Sequence, residues 1–275
     1  MTEKGSISKP ASAGRCMAYV LLSLLLLASP ARGLQVSCFL VGDAIGWSLA
    51  TRADFDGDGV DDVAASGPCA YIDGNWTVGR VIVFSGATGK KLLHLTGEQE
   101  KQRFGSAISF VDDLSGDGLA DLLVGSYGWD TTDPESGASL PRAGKVEVYD
   151  REGNVILALI GAFNKGHLGE SLKGVGDYNG DGWADILTGA GQDRVDGSQR
   201  GIAYLISGAT GEVLALNEGE RNGDFWGSVV GVLGDVHGDS RAELLVASGM
   251  TDGESTKDQG RVKVFRDRTR KPRKA

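Results

Sequence analysis

The sequence predicts an all-β protein made of four repeated units, and three observations predict it. An acidic stretch recurs along the 275-residue chain: DFDGDGVDD at 54–62, DLSGDGLAD at 113–121, DYNGDGWAD at 177–185 and DVHGDSRAE at 235–243. The starts lie 59, 64 and 58 residues apart, the period of a supersecondary unit. Short apolar runs bounded by Gly, Asp and Ser accompany each copy in a fixed order, and nothing beyond residue 33 has the periodicity of an amphipathic helix. The chain also holds 43 glycines but six prolines, a composition of many tight turns.

Taken in order, each unit opens on an apolar residue and a glycine: IGWSLA at 45, FGSAIS at 104, LGESLK at 168 and WGSVVG at 226. The acidic stretch follows, and after it an apolar run ending near glycine: DVAASGP, DLLVGSYG, DILTGAG and ELLVASG. A third run comes after a linker of variable length: GRVIVF at 79, GKVEVY at 144, GIAYLI at 201 and GRVKVF at 260. SGATG at 85 and 207, with DREG at the matching place in the second unit, reads as a hairpin turn. It leads to a fourth run in three units, KKLLHLTG, NVILALIG and EVLALNEG. Four strands in about 60 residues make the blade of a β-propeller, a fold of 4 to 8 blades.

These units resemble the FG-GAP repeats of integrin alpha chains, which also occur in secreted bacterial proteins. FGSAIS carries the FG, and the VGSYG and TGAG runs stand where that family has GAP. The resemblance runs from about 34 to 265, with repeats at about 45–102, 103–166, 167–224 and 225–265. It implies a propeller, calcium bound in loops between strands of a blade, and a ligand-binding rather than catalytic role. The family's propellers are usually seven-bladed, whereas four repeats are present here. The fourth repeat stops after GRVKVF, and LQVSCFLVGDAIGWS at 34 resembles LLHLTGEQEKQRFGS, the end of one repeat and start of the next. The expectation is a four-bladed ring whose N-terminal strand completes the last blade and removes two exposed edges. The rival is an open arc that pairs with a second chain.

The acidic stretch has the spacing of a calcium loop, with oxygen donors at alternate positions and glycine at the bend. Positions 1, 3, 5 and 9 are Asp54, Asp56, Asp58 and Asp62; then Asp113, Ser115, Asp117 and Asp121; then Asp177, Asn179, Asp181 and Asp185. The carbonyls of Val60, Leu119 and Trp183 serve at position 7. An EF-hand would place glutamate at position 12, where Ala65, Val124, Thr188 and Val246 stand instead. The fourth copy offers Asp235, Asp239 and Glu243, but His237 puts nitrogen at position 3 and Ser240 replaces the bend glycine. Three calcium sites are therefore expected, the fourth copy being the weak one. The competing reading is an Asx-rich turn without metal. Against it, several carboxylates in one loop repel each other unless a cation is present.

Lys4, Lys9 and Arg15 precede the apolar run AYVLLSLLLLAS, and Ala31 and Gly33 follow it, the pattern of a secretory signal peptide over 1–33. A retained membrane anchor is the alternative, though a span takes about 20 apolar residues. The chain carries a formal −9; its first 33 residues contribute +3 and its last ten, RDRTRKPRKA, contribute +5, so the stretch between carries −17. So acidic a body argues against nucleic acid as a partner and for cation binding or solubility. The basic tail over 266–275 reads as disordered. Cys38 and Cys69 remain after the leader, and in an oxidising compartment they are expected to pair; two buried free thiols are the alternative.

No serine or cysteine nucleophile stands at a fixed offset from His94, His167 or His237, and no phosphate-cradling loop is present. The reading is a secreted, non-catalytic binding module whose partner is a protein or glycan, as a monomer or small homo-oligomer. A structural surface-layer component is the alternative, and a polysaccharide-acting enzyme a more remote one. The loops between second and third strands vary most, and Trp76, Tyr127 and Trp129 in or beside them are the candidate partner-binding residues. Asn75-Trp76-Thr77 fits an N-glycosylation acceptor.

Overall fold

The computed structural model describes residues 44–236, 238, 241–249 and 260–265, apart from residue 196, all within one compact unit, Leu34–Ala275. The described residues contain strands, turns and no helix. The first sheet is β1 (Leu49–Ala50), β2 (Val63–Gly67), β3 (Arg80–Phe84) and β4 (Lys91–Thr96). The second uses β5 (Ala107–Val111), β6 (Asp121–Gly125), β9 (Lys145–Tyr149) and β10 (Val155–Ile160), with a ribbon of β7 (Thr131–Thr132) and β8 (Ser139–Leu140) raised from the β6–β9 connection. In the third, β11 (Ser171–Gly174), β12 (Ile186–Ala190), β15 (Ile202–Ile206) and β16 (Val213–Glu218) pair in order, with a ribbon of β13 (Arg194–Val195) and β14 (Ser198–Gln199). The fourth has β17 (Val229–Val232), β18 (Leu244–Ser248) and β19 (Arg261–Phe265). Every ladder is antiparallel between neighbours along the sheet, the up-and-down meander of a propeller blade.

Period-two patterning explains how these sheets stack. Alternate residues of a strand face opposite sides, so a sheet covered on both faces needs apolar residues in succession. On β6, Leu122 and Val124 join the core against the first sheet, and Leu123 joins the core against the third. On β12, Ile186 and Ala190 face the second sheet while Leu187 faces the fourth. The first strands of successive sheets, β1, β5, β11 and β17, pack in sequence. Val229, Val262 and Val264 of the fourth sheet are exposed. Among the described residues no sheet closes on itself, and residues 34–43, expected to complete the fourth sheet, lie outside them.

The glycines that open the third strands explain why the repeats interlock. Gly79, Gly144 and Gly201 have φ of +95°, +89° and +77°. A Cβ on them would collide with the backbone of Phe104, Leu168 and Trp226, the residues opening the next repeat. Gly79 and Gly144 form parallel bridges with Phe104 and Leu168. The next repeat's N–H groups donate across the same junctions: Phe104 N to Val78 O at 2.9 Å, Leu168 N to Ala143 O at 3.0 Å, and Trp226 N to Arg200 O at 2.9 Å. Phe104, Leu168 and Trp226 are all buried. The FG position thus plugs each sheet into the one before it.

Substitution separates this close approach from an ordinary glycine turn. Gly144→Ala meets both a left-handed φ and the Leu168 backbone, and should cost about 3 kcal/mol or more. Gly137→Ala has φ +69° but open space, and should cost only about 1–2 kcal/mol. Urea unfolding of the two variants checks the difference; equal losses would remove the junction from the account.

Candidate functional site

Each acidic stretch folds into the connection between the first and second strand of its sheet. In the first, Asp54 Oδ1 accepts from the N–H groups of Gly57 at 2.7 Å and Asp58 at 3.1 Å, and Oδ2 from Gly59 at 2.8 Å. Asp58 Oδ1 accepts from Val60 N at 2.9 Å. Gly57 and Gly59 take φ of +82° and +85°, which turns their amides inward. Asp113 and Asp177 repeat the pattern, accepting from Gly116 and Gly118, and from Gly180 and Gly182. In the fourth stretch Gly238 N donates to Asp235 at 2.5 Å; His237, Asp239 and Ser240 lie outside the described residues.

A ligand oxygen from each of Asp54, Asp56 and Asp58 lies within 4.8 Å of the others. Oxygens on opposite sides of one calcium ion are about 4.8 Å apart, each bond being about 2.4 Å. These three carboxylates therefore fit around one ion of that size. Desolvation raises the Asp56 pKa, helped by the carboxylates of Asp62, Asp58 and Asp54 and opposed by the Asp58 N–H. Burial pushes Asp113 up, but N–H groups of Gly118 and Gly116 outweigh it and hold the carboxyl below its usual range. In the second loop Arg151 Nε lies 3.3 Å from Asp117 Oδ2, a cation the sequence reading did not connect to the loop. The loops are neighbours: a Cβ on Gly57 would lie 3.4 Å from Leu119, and one on Gly116 3.9 Å from Trp183.

The ninth position does something the spacing alone did not reveal. Asp62, Asp121, Asp185 and Glu243 are buried. Asp62 Oδ2 accepts from Phe55 N at 2.7 Å, while Oδ1 accepts from Gly86 N at 2.8 Å in the hairpin turn between β3 and β4. Asp185 makes the same pair of links, to Tyr178 N at 2.9 Å and Gly208 N at 3.2 Å. Glu243 holds Val236 N at 2.8 Å. The glycine of SGATG was the available signal, since a Cβ on Gly86 or Gly208 would strike the carbonyl of Asp61 or Ala184. Asp121 accepts from Leu114 N and Ser115 N, and burial pushes its pKa up to about 6.

The three candidate recognition aromatics separate. Trp76 is 65% exposed and lies 4.8 Å, centroid to centroid, from Tyr71. Tyr127 is half-buried, stacked 5.0 Å from His167 with Arg103 over its ring. Trp129 is half-buried beneath the Lys145 ammonium, 4.1 Å away, and Lys145 is paired with Glu147 at 2.6 Å. Cys69 is buried and disulfide-bonded; Cys38 lies outside the described residues.

Beside Tyr127, His167 Nδ1 lies 4.0 Å from Glu170 Oε2. Burial holds His167 down to about 4, helped by the charges of Arg142 and Arg103. Burial pushes Glu170 up to about 7 against one N–H from Gly191. The stability that Glu170 contributes is full below its ordinary pKa of 4.5 and lost as pH rises through about 7. That of His167 is full above 6.5 and lost as pH falls through about 4. The two oppose each other between these limits. Relative to the parent, Glu170→Gln should therefore gain stability with rising pH, and His167→Phe should lose it, in urea titrations from pH 4.5 to 7. Parallel profiles for all three proteins would contradict the assignment.

The FG-GAP repeat family matches residues 104–146 and 174–206, so the chain carries FG-GAP repeats. Its curated relatives are integrin alpha chains. Integrin alpha-PS2 of Drosophila melanogaster is 33% identical over 172 residues, 60% of this chain and 12% of its own length. Integrin alpha pat-2 of Caenorhabditis briggsae is 29% identical over 228 residues, 75% and 18%. Integrin alpha-5 of Xenopus laevis is 32% identical over 189 residues, 66% and 17%. The chain thus spans under a fifth of the length of these relatives. Among solved structures, the Dos1 propeller aligns with a TM-score of 0.41 at 13% identity, over 72% of this chain and 41% of that one, too loosely to bear on the fold.

Proposed function

We propose that this chain is a secreted, calcium-stabilised, non-catalytic binding module of the integrin alpha-like type. The observation that carries the proposal is the convergence of Asp54, Asp56 and Asp58 in a loop whose glycine amides already hold Asp54 in place. When bound, calcium supplies charge neutralisation at this site. Asp54, Asp56, Asp58, the Val60 carbonyl and Asp62 would hold it in the first loop. Asp113, Ser115, Asp117, the Leu119 carbonyl and Asp121 would do so in the second, and Asp177, Asn179, Asp181, the Trp183 carbonyl and Asp185 in the third. The fourth stretch, with Asp235, Asp239 and Glu243, is the weakest candidate. The role assigned to these residues is to fix the connection between first and second strands, leaving recognition to the loops at the second-to-third connections.

The same proposal includes the signal peptide over 1–33, a Cys38–Cys69 bridge closing a loop for about 3–4 kcal/mol, and a four-bladed ring completed by the N-terminal strand. The likeness to integrin alpha chains supports an adhesion-type role with a protein or glycan partner.

Thermal melting with calcium and then with chelator tests the metal reading. A site at 100 times its dissociation constant adds about 2.7 kcal/mol, which raises Tm by about 5–10 °C in a unit of this size. Asp54→Asn combined with Asp58→Asn should remove one site's share. A shift near zero would show that the loops are metal-free turns.

A further inference from the structure

Of the three aromatic residues singled out by the sequence, only Trp76 has its ring largely free, and it is not alone. Tyr71, 47% exposed, lies across the same hairpin with the two rings tilted 54° to each other. The hairpin between them is Ile72-Asp73-Gly74-Asn75. Ile72 N donates to Asn75 O at 3.0 Å, and Asn75 N to Ile72 O at 2.9 Å. Asp73 and Gly74 take φ of +49° and +89°, the left-handed pair of a tight hairpin turn for which Asp-Gly is suited.

The support below this turn is fixed as well. Val78 N donates to Ala70 O at 3.1 Å, Lys101 N to Trp76 O at 3.1 Å and Arg103 N to Thr77 O at 2.9 Å. Cys69, two residues before Tyr71, is held by a disulfide. The rings are therefore carried on a rigid support whose ordering cost is met on folding, before any ligand arrives. Asp73 and Asn75 are exposed between the rings in sequence, and the side-chain amide of Asn75 makes no hydrogen bond among the described residues.

We propose that Tyr71 and Trp76, with Asp73 and Asn75, form a binding site for a neutral sugar ring; this rests on the binding-module reading and names its partner class. The apolar face of a pyranose presents C–H groups of slight positive charge, which suit the negative face of an aromatic ring. Its hydroxyls need donors and acceptors at the edge of that contact, which the Asn75 amide and the Asp73 carboxylate provide. Rings held rigidly beside a few polar groups match this ligand. Tyr127 and Trp129 already have their faces taken by His167, Arg103 and Lys145.

The experiment uses the mature protein secreted into a bacterial periplasm, so that the disulfide forms and Asn75 carries no glycan. It is titrated with neutral hexasaccharides of β1,4-linked glucose, N-acetylglucosamine, mannose and xylose and of α1,4-linked glucose, followed by calorimetry and tryptophan fluorescence. The expected result is saturable binding of at least one saccharide. That binding should weaken at least tenfold in Trp76→Ala and Tyr71→Ala and be largely kept in Trp76→Phe. Trp47→Ala, which removes another exposed tryptophan, should leave it unchanged. Both ring deletions should melt with the parent, since these side chains are exposed. Binding indifferent to Trp76→Ala, or no binding by any of the five, overturns the inference. The same protein on an array of purified extracellular proteins separates the two levels. A protein ligand without a saccharide leaves the binding-module reading standing, and silence on both removes the two together.

Discussion

The structure depends on one close approach, the backbone of each repeat's opening residue lying against the glycine that starts the previous repeat's third strand. No side chain fits there: a Cβ at Gly144 would meet the Leu168 backbone, and one at Gly169 would lie 2.6 Å from Lys145 O. Gly125 and Gly189, at the GAP position, face the carbonyls of Gly169 and Gly227 in the same way. The FG and GAP glycines are therefore two halves of one contact made across repeats. Because that contact joins different sheets, it sets the stacking of the three apolar cores, in which both faces of β6 and β12 are buried.

The acidic loops build on this frame from the other end of each strand pair. In the first and third loops position 9 is tied inward, to the start of its own loop and to the next hairpin turn, while in the first loop position 1 accepts from glycine amides and positions 3 and 5 accept from the amides two residues on. One short stretch thus combines a buried latch with a cluster of carboxylates that fits a cation. The second loop shows how the arrangement varies. DREG replaces SGATG, and Arg151 instead pairs with Asp117. Gly153 of that turn rests on the first sheet, a Cβ there lying 3.1 Å from Leu93.

The order of strands was legible because each property behind it is local: apolar alternation, acidic spacing and turn glycines recur in step with the fold. The family likeness was legible for the same reason. What the sequence did not show depends on distant neighbours. Nothing in Arg103, His167 and Phe225 signals a left-handed backbone, yet all three adopt it just before the FG position, at φ of +59°, +64° and +50°. Their conformation is imposed by the junction, where Arg103 N and His167 N donate to Thr77 O and Arg142 O. Likewise, an aromatic residue in a variable loop looks the same whether its ring is free, as at Trp76, or covered by a lysine from a neighbouring strand, as at Trp129. The Lys145–Glu147 pair, buried on β9 where the other sheets have Arg80 and Ile82, Ile202 and Tyr204, and Arg261 and Lys263, was equally silent.

The glycine junctions bind successive sheets into one cooperative stack. Native-state hydrogen exchange measures this directly at the amides of Phe104, Leu168 and Trp226. These three are expected to exchange among the slowest in the protein, with a common opening free energy equal to that of global unfolding. Fast, independent exchange at the three junctions, while the amides within each sheet stay protected, would contradict it.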